Sequence, residues 1–250
     1  DGTDYLDGTL PVEDVFSYHQ RTKKIPSTTA TNVHEYEELF RGIREQEPNS
    51  IIIHIGYTSK ASVSFQCAVI ASENFEDLYL IDALNVTAGL GAIVVYAAQL
   101  LEANPSISHE ELIRAIEEIV PKSKLAFVPG SLDFLRAGGR VSNIAYIGGA
   151  LLKIKPCIEL KDGKLISTRK YRGSINNVAE KLFQDYLAEY NINRTLVYFI
   201  YSIGLEESVK TQIEQLAKEA GFEQVRWIQA GAMISTHAGP GGFGIAGFEV

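Results

Sequence analysis

Hydrophobic and polar positions along the first half of the chain switch between two periods. Ser50–Ile55 (S-I-I-I-H-I) is β-branched and nearly all apolar, the pattern of a strand buried on both faces. Apolar positions at Val63, Phe65, Ala68 and Val69 predict a short helix over Ser62–Ser72. Leu78–Ile81 reads as a second buried strand, ending at Asp82. A long apolar helix is predicted from about Ala88 to Glu102, then one over Glu110–Val120, opened by Ser108 and ended by Pro121. Upstream, Asn32-Val-His-Glu35 has capping-box spacing and starts a helix running to about Glu45. The order β-α-β-α implies a parallel sheet with helices on its faces. A parallel domain that opens on a loop and a helix is unusual, so its first strand is expected to be missing from this chain.

The second half changes character. Lys153–Leu160, the turn Lys161-Asp-Gly-Lys164 and Leu165–Tyr171 predict a β-hairpin with Asp-Gly at its tip. Ser174 caps a helix to about Tyr190; Thr195–Tyr201 is a strand, Glu206–Ala220 a helix, Glu223–Ile228 a strand, and Ile245–Val250 the last strand. The expected fold is therefore α/β with two α/β domains. Residues 1–137 form an N-terminal parallel-sheet domain and residues 138–250 a C-terminal mixed-sheet domain, with the boundary near Gly138–Arg140.

Composition narrows the function classes. With 250 residues, 46% hydrophobic and 22% charged, the chain is neither collagenous, disordered nor a disulfide scaffold. Its longest apolar runs, such as Ile51–Ile53 and Ala92–Tyr96, fall far short of the ~20 residues of a membrane helix, so no membrane span is expected. The start, D-G-T-D-Y-L-D-G, is not a secretion signal. Cys67 and Cys157 lie in apolar segments and read as small buried hydrophobes, which fits a reducing cytoplasm. A net charge of −8 argues against a nucleic-acid partner. The charge is uneven, however. Arg136–Arg172 holds nine basic residues against two acidic ones. This is either a solvated sheet face or a docking surface for something acidic or phosphorylated. Lys153 and Lys155, two apart on a predicted strand, share one face, and Arg169 lies on the return strand.

The sequence carries no H-E-x-x-H, C-x-x-C, Walker or G-x-S-x-G motif, and no metal site is expected. What remains are hydroxyl-rich turns at strand-to-helix junctions: Thr28, Thr29, Thr31 and Asn32; Thr58, Ser59, Ser62 and Ser64; and Thr87. Helix capping accounts for part of them, but there are more hydroxyls than helix ends. Ligands of open parallel sheets bind beyond the strands' C-terminal ends, where helix N-termini favour an anion. Ser and Thr without a catalytic base beside them suit holding a carboxylate. Thr87-Ala-Gly89-Leu-Gly91 faintly echoes a phosphate loop, but a lone G-x-G is a weak signal and close helix–strand packing explains it better. His237 sits in a glycine-rich segment, I-S-T-H-A-G-P-G-G-F-G-I, and is expected to occupy a rigid turn; Arg140 follows Gly138-Gly139. For each, a structural role stands beside the functional one.

Taken together, these segments resemble the DegV family, the fatty-acid-binding subunits of the bacterial fatty acid kinase system. The family's T-S-Q-P-S-P looks like Thr28–Val33, and S-S-x-L-S-G-T-Y-Q-S-A looks like Thr58–Ala68. D-S-x-x-x-S-x-G-x-G corresponds to Asp82–Gly91, L-x-x-G-G-R-I to Leu135–Val141, I-K-P to Ile154–Pro156, and G-x-H-x-G-P-G to Ser235–Gly241. The departures are Asn32, Ala30-Thr31 and Ala61-Ser62-Val63, which alter the walls but keep Thr28 and Ser62. The resemblance implies a long-chain fatty acid in a tunnel between the two domains, its carboxylate held by Thr28, Ser62 and His237. Thr29, Ser59, Thr87 and Gly89 would support it. A separate ATP-binding fatty acid kinase subunit would phosphorylate the carboxylate, helped by Arg140 and His237, as part of phospholipid metabolism. Lys153, Lys155 and Arg169 are then docking candidates for that partner. The chain is not expected to catalyse alone or to need a cofactor. A stand-alone Ser/His237 hydrolase, or a carrier of another amphiphilic acid, are the alternatives.

Overall fold

A computed structural model describes residues 2–141 and 154–250. Its helices are α1 (Val12–Thr22), α2 (Val33–Gln46), α3 (Ser64–Ser72), α4 (Thr87–Ala103), α5 (His109–Ile119), α6 (Leu132–Gly138), α7 (Ile175–Glu189), α8 (Glu207–Glu219) and α9 (Ala232–Ala238). Its strands are β1 (Ile52–Gly56), β2 (Leu78–Asp82), β3 (Ser123–Val128), β4 (Ile154–Lys161), β5 (Lys164–Arg172), β6 (Leu196–Tyr201), β7 (Gln224–Gln229) and β8 (Phe243–Phe248).

The contacts divide the chain into two compact units. The smaller comprises Thr29–Ser123 with Asp162–Lys164. Its two strands, β1 and β2, pair in parallel, Ile52 opposite Leu78 through Gly56 opposite Asp82. Tyr36 and Phe40 of α2 bury with Ile52, Ala68 and Ala71, so α2 and α3 cover the strands with a small core. The capping box expected at Asn32 and Glu35 opens α2, and a second one, Ser108 with Glu111, opens α5.

The larger unit comprises Asp1–Thr28, Lys124–Lys161 and Leu165–Val250. It is built on a six-stranded mixed sheet of order β5-β4-β3-β8-β6-β7, in which β6 runs parallel to β7 and antiparallel to β8. The core gathers Val178, Leu182, Phe183 and Tyr186 of α7, Val209 and Ile213 of α8, and the strand residues Val197, Phe199, Phe243 and Ile245. The hairpin turn forms as expected, because Asp162 (φ 50°) and Gly163 (φ 76°) both adopt the left-handed backbone that such a tight turn needs. Among the described residues no helix is long and apolar enough to cross a membrane.

The division differs from a single cut at residues 137 and 138. Residues 1–28 and 124–137 group with the C-terminal half: β3 pairs with β4, and Val12, Val15 and Phe16 of α1 pack on Phe134 and Ala232. Helices α1, α6 and α9 and strand β3 have no counterpart in the elements predicted above. Cys157 is buried as expected, whereas Cys67 is only half-buried.

Candidate functional site

The glycine-rich C-terminal segment is a clasp within the larger unit. After β3 the chain turns through Pro129-Gly130-Ser131, and the N–H groups of Gly130 and Ser131 both donate to the Ala238 carbonyl, at 2.9 and 3.2 Å. Ser202 Oγ, at the end of β6, donates to the Gly239 carbonyl (2.5 Å) and accepts from Gly242 N–H (2.7 Å). A Cβ at Gly130 would overlap the Pro240 carbonyl, so this approach requires glycine. The clasp brings α9 against α6. His237 therefore lies in the last turn of a short helix rather than in a free turn, with Gly239 (φ 71°) as the residue that ends it. Residues Gly130, Ser131 and Ser202 escaped the sequence reading, although Gly130 in a P-G-S stretch after an apolar run is a turn signal.

This packing sets the His237 ring between two neighbours. Its Nε2 lies 2.9 Å from Oγ1 of Thr28, which is 209 residues away in sequence. Among the described residues its Nδ1 is buried with no hydrogen-bond partner. Burial, and then the nearby Arg140 guanidinium, push the imidazole down to a pKa of about 4. The ring is thus neutral near pH 7, and its contribution is a hydrogen bond rather than a charge. Arg140 is exposed, and its Nη1 donates to the Gly138 carbonyl at 2.6 Å. Thr28, His237 and Arg140 are accordingly brought together, with Thr28 half-buried.

Ser62 belongs to the smaller unit and has its own hydroxyl chain. Ser64 N–H donates to Ser62 Oγ (3.1 Å), the two serine hydroxyls are 2.9 Å apart, and Thr31 N–H donates to Ser64 Oγ (3.2 Å). When Ser64 donates to Ser62, both lone pairs of Ser62 Oγ are engaged and its own proton is left to donate elsewhere. Thr58, by contrast, is fully buried and spends its hydroxyl on the Gly163 carbonyl (2.9 Å). Ser59 contributes its backbone N–H to the Asp82 carboxylate, and Thr29 is exposed. Thr87 opens α4 at φ 44°, a conformation that a β-branched residue adopts only under constraint. Gly89 is a packing residue, since a Cβ there would overlap the buried Asn85 side chain. That supports the packing side of the glycine-loop alternative.

The docking candidates fare differently. Lys153 lies outside the described residues. Lys155 is half-buried on β4, and burial lowers its pKa. Arg169 is ion-paired with Glu159 (3.1 Å) and with Glu189, so its charge is balanced internally. Glu159 is itself buried, accepting also from Tyr190 Oη (3.1 Å) beside Lys161 (3.4 Å). Burial, and then that carboxylate, push the Cys157 thiol up to about 12, which makes it inert near neutrality. Among the described residues no group of three or more His, Cys, Asp or Glu side chains could hold a metal ion.

Comparison with known proteins agrees with this architecture. A family model described as "Uncharacterised protein, DegV family" matches residues 1–249. A DegV domain-containing protein of Caldanaerobacter subterraneus subsp. tengcongensis is 32% identical over 253 residues, covering 98% of this chain and 86% of that protein. A Thermotoga maritima protein named "Fatty acid-binding protein" is 29% identical, over 95% of this chain and 84% of its own length. Among solved structures, one described as fatty acid binding of a DegV family protein from Thermus thermophilus superposes with a TM-score of 0.86 at 22% identity, covering 100% of this chain and 88% of that one. The sequence motifs, the two α/β units and the match along nearly the whole length agree: this chain belongs to the DegV family.

Proposed function

We propose that this protein binds a long-chain fatty acid and presents its carboxylate, in the cytoplasm, to a separate ATP-binding kinase subunit for acyl-phosphate formation. The observation that carries the reading is the Thr28 hydroxyl held 2.9 Å from a neutral His237. With Ser62 it supplies hydroxyl donors of the kind that orient a carboxylate without a fixed cationic clamp. A carboxylate held this way keeps an oxygen free to attack ATP; the exposed Arg140 guanidinium is then available to the phosphate that arrives. Burying ~14 methylenes at ~0.8 kcal/mol each gives about 11 kcal/mol of gross driving force, reduced by ordering costs. The relative named as a fatty acid-binding protein supports the same ligand class. The net positive charge of Arg136–Arg172 fits an acidic or nucleotide-carrying partner, with Lys155 in it and Arg169 neutralised by its carboxylates. A Ser/His hydrolase would place an acidic group against the second imidazole nitrogen, and Gly138 stands there instead.

Native mass spectrometry of protein purified without added lipid tests this. The expected spectrum shows one bound acid of fatty acid mass, converted to its acyl phosphate when ATP and the kinase subunit are added. Protein that is empty, and that also fails to take up palmitate, overturns the reading.

A further inference from the structure

The two nitrogens of His237 are treated unequally. Nε2 faces Thr28 Oγ1, whereas Nδ1 is buried and, among the described residues, unpartnered. What Nδ1 faces is Gly138. A Cβ built on that residue would overlap Nδ1, so the Cα–H standing in its place is directed at the nitrogen. An Nδ1–H would meet that C–H proton to proton and would exchange its water partner for nothing. A lone pair meets it as a weak C–H···N contact. The backbone does not explain the glycine: positive φ falls on Gly139 (65°), not on Gly138, which is part of α6. At the end of a helix alanine is the better helix former. The imidazole is what excludes a side chain here.

We infer that Gly138 is a positioning residue whose bare Cα fixes His237 as the neutral Nε2–H tautomer, which donates to Thr28 and so turns the threonine hydroxyl proton outward. The opposite tautomer would take the Thr28 proton for Nε2 and leave the threonine oxygen presenting lone pairs. That arrangement repels a carboxylate, whereas the first one binds it. Only this last consequence rests on the fatty acid reading; the tautomer stands on the packing. The depressed pKa of the ring agrees, because a cationic imidazole would also need a proton on Nδ1.

The test is a two-bond proton–nitrogen NMR spectrum of the full chain, labelled with 15N-histidine, at pH 7. His237 is assigned by its disappearance in His237→Gln. An imine-type Nδ1 with a protonated Nε2 is the expected result, and a proton on Nδ1 overturns the inference. Gly138→Ala should abolish that signature and weaken palmitate binding about tenfold, since one oriented donor is lost. An unchanged signature with unchanged affinity removes the role of Gly138. His237→Gln keeps an N–H near the Nε2 position and should hold palmitate within about threefold of wild type, while His237→Leu loses about tenfold. Equal losses in the two variants overturn the donor assignment. If the wild-type protein itself takes up no palmitate, the fatty acid reading fails, and the spectrum still decides the tautomer.

Discussion

Thr28 and Ser62 are two hydroxyls with lone pairs occupied by other donors: the His237 ring serves one, and Ser64 the other. A hydrogen bond to a charged carboxylate is worth at least about 1.5 kcal/mol, so Thr28→Val or Ser62→Ala alone should weaken palmitate binding about tenfold. Together they should weaken it about a hundredfold if the effects add. Titration calorimetry reads the affinity, and an unchanged melting temperature shows that the fold is intact. Affinity equal to wild type in the double variant removes both residues from the head-group site. These hydroxyls were legible in the sequence because Ser and Thr outnumber the helix ends they could cap. The neighbour that orients one of them was not. Gly138 reads as one glycine of a G-G-R run, and no periodicity joins it to His237 about a hundred residues later. Only the fold makes them neighbours.

Elements with strong local signals were legible, and those made by tertiary contact were not. The capping boxes at Asn32 and Ser108 and the Asp162-Gly163 turn carry their geometry in two to four residues. By contrast α6 and α9 are seven residues each, too short for a helical stripe to show, and α9 exists because backbone N–H groups of the β3–α6 turn hold its end. Helix α1 does carry a stripe, Val12-x-x-Val15-Phe16, that the sequence reading passed over. The two glycines of α4 show how element and packing separate. At Gly91 a Cβ meets open space, so Gly91→Ala should stabilise the protein by about 0.5–1 kcal/mol through helix propensity alone. At Gly89 the same methyl would strike Asn85, which cannot move without releasing Ser123 and the Val86 N–H. Gly89→Ala should therefore cost about 2 kcal/mol. Urea denaturation of both variants checks the pair, and equal shifts would mean that Asn85 yields freely.

At the scale of the whole molecule, the α/β class and the presence of two parts were readable from element order, but the path of the chain between them was not. Residues 1–28 and β3 return to the unit that holds the C-terminal half, and a boundary drawn from local composition cannot see a return. Each unit also holds a half-buried histidine whose pKa is lowered by desolvation: His237 in the larger, and His54, against the rings of Tyr36 and Phe40, in the smaller. The consequence for stability has a definite sign. An unfolded histidine titrates near 6.5, whereas folded His237 titrates at about 4, so between these values the unfolded chain holds more protons. Stability is then fully present above about pH 6.5 and falls as the pH drops towards 4, by up to about 3 kcal/mol from this group. His54 adds a loss of the same sign. Carboxylates that protonate below about pH 5 contribute alike to the wild type and to a histidine variant, so the difference between the two isolates the ring. Unfolding free energies from urea titrations at several pH values between 7.5 and 4.5 should decline more steeply in the wild type than in His237→Gln, by about 2–3 kcal/mol across the range. Any constant offset added to that difference in slope would reflect only the altered packing. Parallel curves would show that folded His237 takes up its proton as readily as an unfolded one, and the ring would then be cationic under mildly acidic conditions, with a proton on the nitrogen that faces Gly138.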